Sequence, residues 1–211
     1  TTLTYDQLHR QSNQVGHLLR QHGVQPGEVV AIYASAAPQL LTAVFGVLKA
    51  GGSYLPLNED EPRSWQQQAL QDGQAKLLLF SEAAPPADRF DLPALAVETA
   101  VSQPDTNLPI PSTGGLHLPF LGRYPATELA HLADVYPIEA TNRVLQFAAF
   151  ASHQAAHELF GTLLNGATLH LAPRNQLTRL PLLTELLKQT QVDFAILPAV
   201  LLGALDPAKV P

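Results

Sequence analysis

The residues able to do chemistry in this chain fall into a few short clusters. Ser112-Thr113-Gly114-Gly115 places two hydroxyls beside two glycines, and successive glycine-rich backbone amides can form a nest for a phosphate. The same four residues lie among prolines, where Ser, Thr and Gly also make ordinary turns. His153 and His157 are four residues apart with Glu158 adjacent, so both imidazoles can share a helix face as a metal pair. The HExxH order is absent and no third ligand is evident, so the expectation is surface or capping histidines and no metal site. Ser152 precedes His153 directly, but side chains of sequence neighbours diverge and no G-x-S-x-G turn surrounds the serine. A nucleophilic dyad is therefore not expected. Asp6, Glu28, Glu59, Asp60 and Glu61 are carboxylates, the last three reading as a solvated turn, and no catalytic acid-base pair is expected among them.

These clusters need a frame to hold them. From Tyr5, the apolar residues Leu8, Val15, Leu18 and Leu19 recur at near-helical spacing until Gly23 and Pro26-Gly27 stop the helix. Glu28 to Ala34 is a continuous apolar, β-branched run, the pattern of a strand buried on both faces. Pro38 to Ala50 starts on proline and stops at Gly51-Gly52, the end signals of a helix. A strand at Ser53 to Leu57, a helix at Pro62 to Asp72, a strand at Lys76 to Phe80 and a weaker strand at Leu92 to Val97 follow. Prolines at 85, 86, 93, 104, 109, 111, 119 and 125 make residues 81–125 a loop-rich segment. Regular structure resumes as helices at Thr127 to Val135, Gln154 to Leu164, Leu177 to Gln189 and Pro198 to Leu205. Strands at Arg143 to Phe147, Ala167 to Leu171 and Phe194 to Leu197 alternate with them. This alternation predicts an α/β fold, a mostly parallel sheet flanked by helices, in one domain over residues 1–211.

Composition narrows the classes of function. Charged residues are only 14% of the 211, the net charge is -6 and the pI about 5.7. No basic field exists to hold a nucleic-acid backbone or an anionic membrane, so neither is an expected partner. Cysteine is absent, which excludes disulfides, a thiolate nucleophile and cysteine-ligated metal. The most apolar tract, Leu40 to Leu57, is broken by Thr42, Gly46, Lys49, Gly51, Gly52 and Pro56, so no transmembrane helix is predicted. With no leader pattern and no Met at position 1, the chain reads as a cytoplasmic segment cut from a longer polypeptide.

Several segments together resemble one family. Leu3-Thr4-Tyr5-Asp6-Gln7-Leu8 is similar to the LTYxEL opening of the adenylation domains of nonribosomal peptide synthetases, members of the acyl-adenylate-forming ligase superfamily. The run from Leu48 to Asn58, LKAGGSYLPLN, resembles their LKAGGAYVPLD motif at nearly every position. Arg143 to Phe147 and Glu158 to Leu169 resemble RVLQF and EIFxTLLxGGTL in matching order. The resemblance runs from the first residue to about Leu205 and corresponds to the front half of the large N-terminal subdomain.

Such domains join a carboxylate to AMP using ATP and Mg, then pass the acyl group to a carrier-protein thiol. The resemblance implies a phosphate loop like TSGSTGxPKG, and its counterpart here is Ser112, Thr113, Gly114 and Gly115, without the Pro-Lys-Gly end. No lysine lies between Lys76 and Lys188, and charge-assisted contacts are the strong ones for a triphosphate. The family aspartate that receives the substrate ammonium corresponds to His153, with Ser152 before it. The chain also stops before the family's NxYGPTE motif. These departures predict a truncated, catalytically inactive adenylation domain with no catalytic residue and no bound cofactor. It would serve as scaffold or spacer in a nonribosomal peptide or hybrid polyketide synthetase, beside neighbours such as a condensation domain or carrier protein. The alternative is a fragment of an active amino-acid-adenylating ligase whose other motifs lie outside this chain. A third reading, a nucleotide-sensing module, rests only on Ser112 to Gly115.

Overall fold

The computed structural model describes residues 2–33, 38–81, 90–109, 113–118 and 122–210. They form two compact units, Thr1–Glu128 and Leu129–Pro211, and the mostly parallel sheet flanked by helices that the strand-helix alternation predicts is present. The alternating strands divide into a six-stranded and a three-stranded sheet.

In the first unit, helix α1 (Tyr5–Gln21) begins with a reciprocal cap. Thr4 Oγ1 accepts from Gln7 N at 3.2 Å, and Gln7 Oε1 accepts from Thr4 N at 2.9 Å, so two otherwise orphaned amides are satisfied. Strand β1 (Val29–Tyr33), helix α2 (Pro38–Ala50), strand β2 (Ser53–Leu57), helix α3 (Arg63–Asp72) and strand β3 (Leu77–Phe80) follow. β1 pairs in parallel with β2 and with β3. Ala31, Tyr33, Leu55, Leu57 and Leu78 pack with Ala69 and Leu70 of α3. The alternate residues Val30, Ile32 and Tyr54 are equally buried on the opposite face, where α2 lies against β1 and β2. Helices on both faces are what a parallel sheet requires.

The segment read as loop-rich holds more order than its prolines predict. β4 (Ala94–Ala96) is the strand expected over Leu92 to Val97; beyond it the segment contains a 3-10 turn at Val97–Ser102 and the antiparallel pair β5 (Gly115–Leu118) and β6 (Gly122–Pro125). The sheet order is β4-β3-β1-β2-β5-β6. Pro125 is tolerated because β6 is the outermost strand, where a missing N–H costs least. Ala34, at the end of the first expected strand, is outside the described residues.

The second unit contains β7 (Arg143–Leu145), α5 (His153–Leu163), β8 (Thr168–His170), α6 (Arg174–Leu177), α7 (Leu180–Thr190), β9 (Phe194–Ala195) and α8 (Ala199–Ala204). A short helix, α4 (Ala126–His131), continues into a 3-10 turn at Leu132–Asp134. The strands pair in parallel in the order β8-β7-β9. Leu145 and Phe147 pack with Leu177, Leu183 and Leu187 of α6 and α7, while Val144 packs with Ile138 and Ala167. The helix expected over Leu177 to Gln189 is α7, which starts later, at Leu180, while Leu177 closes the preceding short helix α6. Pro181 has no N–H and would clash with the carbonyl four residues back, so the chain restarts with proline in the first turn of α7.

α1 and α2 meet closely because Gly46 has no side chain; a Cβ there would collide with Val15 Cβ and Cγ1. On the α2 face nearby, Lys49 Nζ donates to His9 O at 2.9 Å and to Asn13 Oδ1 at 2.8 Å, and lies 3.3 Å from His9 Nδ1. Asn107 Oδ1 sits 2.8 Å from His9 Nε2, so Nε2 carries the ring proton and Nδ1 is left as acceptor for the lysine. None of these three acceptors is a carboxylate, and burial draws the Lys49 ammonium down to about 8 from 10.5.

Two measurements check this packing. Gly46→Ala should destabilise the chain by about 1–3 kcal/mol in chemical denaturation, and adding Val15→Ala should recover part of the loss. Lys49 binds its proton more weakly folded than unfolded, so its contribution improves with pH. The stability of the wild-type chain relative to Lys49→Met should rise between pH 8 and 10.5, and a flat difference would contradict the buried ammonium.

Candidate functional site

Ser112 is outside the described residues; Thr113, Gly114 and Gly115 are described. Thr113 Oγ1 donates to Gly51 O at 3.2 Å, and Gly115 N donates to Gly52 O at 3.3 Å. A Cβ on Gly114 would stand 2.8 Å from Gly52 O, and one on Gly115 would collide with Tyr124 O across the β5–β6 pair. Both glycines are buried. The described part of this segment is thus packed against the Gly51-Gly52 turn and opens strand β5, its glycines required by close backbone approach.

Ser152 and His153 stand where β7 hands over to α5. Ser152 is the N-cap of α5: its Oγ accepts from Ala155 N at 3.2 Å, the usual task of serine at this position. His153 is the first residue of the helix and exposed; His157, one turn on, is half-buried. The two rings do meet. His157 Nε2 lies 3.2 Å from His153 Nδ1, with ring centres 4.6 Å apart and planes at 77°. Tyr136 lies edge-on to His157 at 6.0 Å. Burial, and then electrostatic repulsion from His153, hold the His157 imidazole below its ordinary value. Among the described residues no three His, Asp or Glu side chains converge as a metal cluster.

The residue that organises this junction is Glu158, which stands out in the sequence only as a neighbour of His157. It is 1% exposed. Its Oε2 accepts from Phe147 N at 3.0 Å, Ala148 N at 2.9 Å and Gln146 Nε2 at 3.3 Å. Burial pushes the carboxyl up to about 7, against the pull of those three hydrogen bonds. Arg174 holds the same stretch from the other side, donating from Nη1 to Phe147 O at 3.1 Å with its guanidinium 5.8 Å from the Phe147 ring centre. The chain leaving β7 is therefore pinned at 146–148, which fixes where Ser152 caps and His153 emerges. One signal was legible: Glu158 is a charge inside the apolar arc Ala155, Ala156, Leu159 and Phe160, and a buried charge must find partners.

Asp6 and Glu28 have structural partners nearby, Arg10 at 3.1 Å and Gln25 N at 2.9 Å. Separately, in the first unit, a cleft of about 350 Å³ is lined by Gln67, Leu70, Gln71, Gln74, Phe90 and Asp91; it includes none of the residues singled out from the sequence.

The model of the family described as AMP-binding enzyme matches residues 1–114, more than half of the chain. This chain belongs to that family. It is 31% identical over 226 residues to bacitracin synthase 3 of Bacillus licheniformis, covering 97% of this chain and 4% of that protein. It is 32% identical over 225 residues to chondramide synthase cmdD of Chondromyces crocatus, covering 97% of this chain and 6% of that protein. Among solved structures, the nonribosomal peptide synthetase FmoA3 bound to alpha-methyl-L-serine-AMP superposes with a TM-score of 0.84 at 25% identity, over 95% of this chain and 24% of that one. The N-terminal subdomain of NpsA from Klebsiella oxytoca matches in fold, with a TM-score of 0.81 at 21% identity, over 93% of this chain and 55% of that one. The chain thus has the fold of the N-terminal subdomain of a synthetase adenylation domain, and it spans a few per cent of the length of its curated relatives.

Glu158→Ala should cost about 2–3 kcal/mol, because two backbone amides lose their acceptor, and should speed hydrogen exchange at Phe147 and Ala148. Glu158→Gln keeps an oxygen in place and should stay within about 1 kcal/mol of wild type at neutral pH. Equal losses in both variants would show that the negative charge, rather than the acceptor geometry, holds the junction.

Proposed function

We propose that this chain is a non-catalytic adenylation fold that serves as scaffold or spacer beside neighbouring domains of a nonribosomal peptide or hybrid polyketide synthetase. The observation that carries the reading is that Thr113 Oγ1 donates to Gly51 O and Gly115 N to Gly52 O, with Gly114 and Gly115 packed too closely against Gly52 O and Tyr124 O to carry a side chain. A segment whose Thr113 hydroxyl and Gly115 amide are committed to the Gly51-Gly52 turn is poorly placed to cradle the phosphates of ATP. Two features of the sequence agree: no lysine stands between Lys76 and Lys188, and an imidazole, His153, stands where the family resemblance places an ammonium-binding carboxylate. No catalytic residue, ATP or Mg is assigned to the chain on this reading. Its partners are adjacent synthetase domains, such as a condensation domain or a carrier protein; matched structures include an artificially fused adenylation-PCP di-domain and a four-domain synthetase. No helix among the described residues is long and apolar enough to cross a membrane.

A second reading, a piece of a working amino-acid-adenylating ligase, draws support from relatives that run far beyond the matched region. Amino-acid-dependent exchange of pyrophosphate into ATP, measured on the polypeptide that carries this chain, separates the two. The scaffold reading expects exchange at background and no thermal shift with Mg-ATP. Binding at 100 times its dissociation constant would add about 2.7 kcal/mol, a shift of roughly 5–11 °C for a chain of this size. A shift of that size with exchange would establish the ligase, and a shift without exchange a nucleotide-sensing module.

A further inference from the structure

Among the described residues, a constellation whose chemistry is not absorbed by the fold or by the scaffold reading is the histidine pair on the first turns of α5. We propose that His153 and His157 chelate a borderline transition-metal ion of the Zn²⁺, Ni²⁺ or Cu²⁺ class through His153 Nδ1 and His157 Nε2. The two nitrogens are 3.2 Å apart. Placed at about 2.1 Å from a common metal, that separation corresponds to an N–metal–N angle of roughly 100°, between square-planar and tetrahedral values. The ring centres are 4.6 Å apart with planes at 77°, and the two nitrogens are within hydrogen-bond distance of each other.

Backbone and packing hold this geometry. Both histidines are on one regular helix started by the Ser152 cap, and His157 is seated edge-on against Tyr136. The helix is tied to the chain after β7 through Glu158. His153 is exposed, so an ion can reach the pair from solvent. Two protein ligands leave the other coordination positions to water or to a small donor ligand, so the site is of the open kind rather than a closed structural one. Of the eight histidines in the sequence, no other two stand four residues apart.

The test uses the 211-residue chain with one equivalent of Cu²⁺, the strongest binder of the series, read by electron paramagnetic resonance and calorimetry. A two-imidazole signal is expected in the wild type. His153→Ala and His157→Ala should each lower affinity by more than about tenfold, since an outer-shell partner alone is worth about 10–100-fold. The double variant should lose little more than either single one, because a chelate fails once one arm is gone. His170→Ala, on strand β8, should leave binding unchanged. Far-ultraviolet circular dichroism reports folding, and the exposed His153→Ala variant keeps the result interpretable if His157→Ala is destabilised. A one-imidazole signal in the wild type, or binding unaffected by His153→Ala, would overturn the proposal.

Discussion

The turn at Gly51-Gly52 is the constraint on which the first unit depends. Gly51, at a φ of 88° that side chains rarely adopt, ends α2. Its carbonyl accepts from Gly27 N at 2.8 Å and from Thr113 Oγ1, while the next carbonyl, of Gly52, accepts from Gly115 N. Ser53 N then donates to Glu28 O at 2.8 Å. Two consecutive peptide units thereby set the approach to β1, the start of β2 and the start of β5. A shift of one residue in any of them would reverse the faces of strands that are buried on both sides. Apolar burial supplies the driving force for this sheet, but the turn decides which residues stand side by side.

The second unit solves the same problem with polar groups. Its sheet has three short strands, and the stretch after β7 is fixed by a buried carboxyl on one side and a guanidinium on the other. Glu158 satisfies the buried amide of Phe147 and the half-buried amide of Ala148, so its value lies in what would be orphaned without it. The cost is a carboxyl that is only part ionised near neutrality. Ser152, His153 and His157 inherit their positions from that pin.

Much of this was readable from the residues alone. α2 and β2 begin and end where Pro38 and Gly51-Gly52 place them, because proline and glycine act through local sterics that the sequence displays directly. The capped start of α1 and the closeness of His153 to His157 follow likewise from short-range helical geometry. What could not be read was set at longer range. β5 and β6 are four-residue strands among prolines and exist by pairing with a strand some sixty positions earlier and with each other. The break between α6 and α7 was visible in Pro181 but was overridden by the apolar period around it. The separation into two sheets and the partners of Glu158, ten to twelve positions upstream, depend on contacts that no local pattern encodes.

The family match over residues 1–114 lies wholly inside the first unit, and its most recognisable run, Leu48 to Asn58, is the stretch that the glycine turn immobilises. Kinship in this lineage is thus written in joinery. The run that most plainly marks the family is therefore a hinge between helix and strand, and it reports how the backbone is joined rather than what the chain acts on.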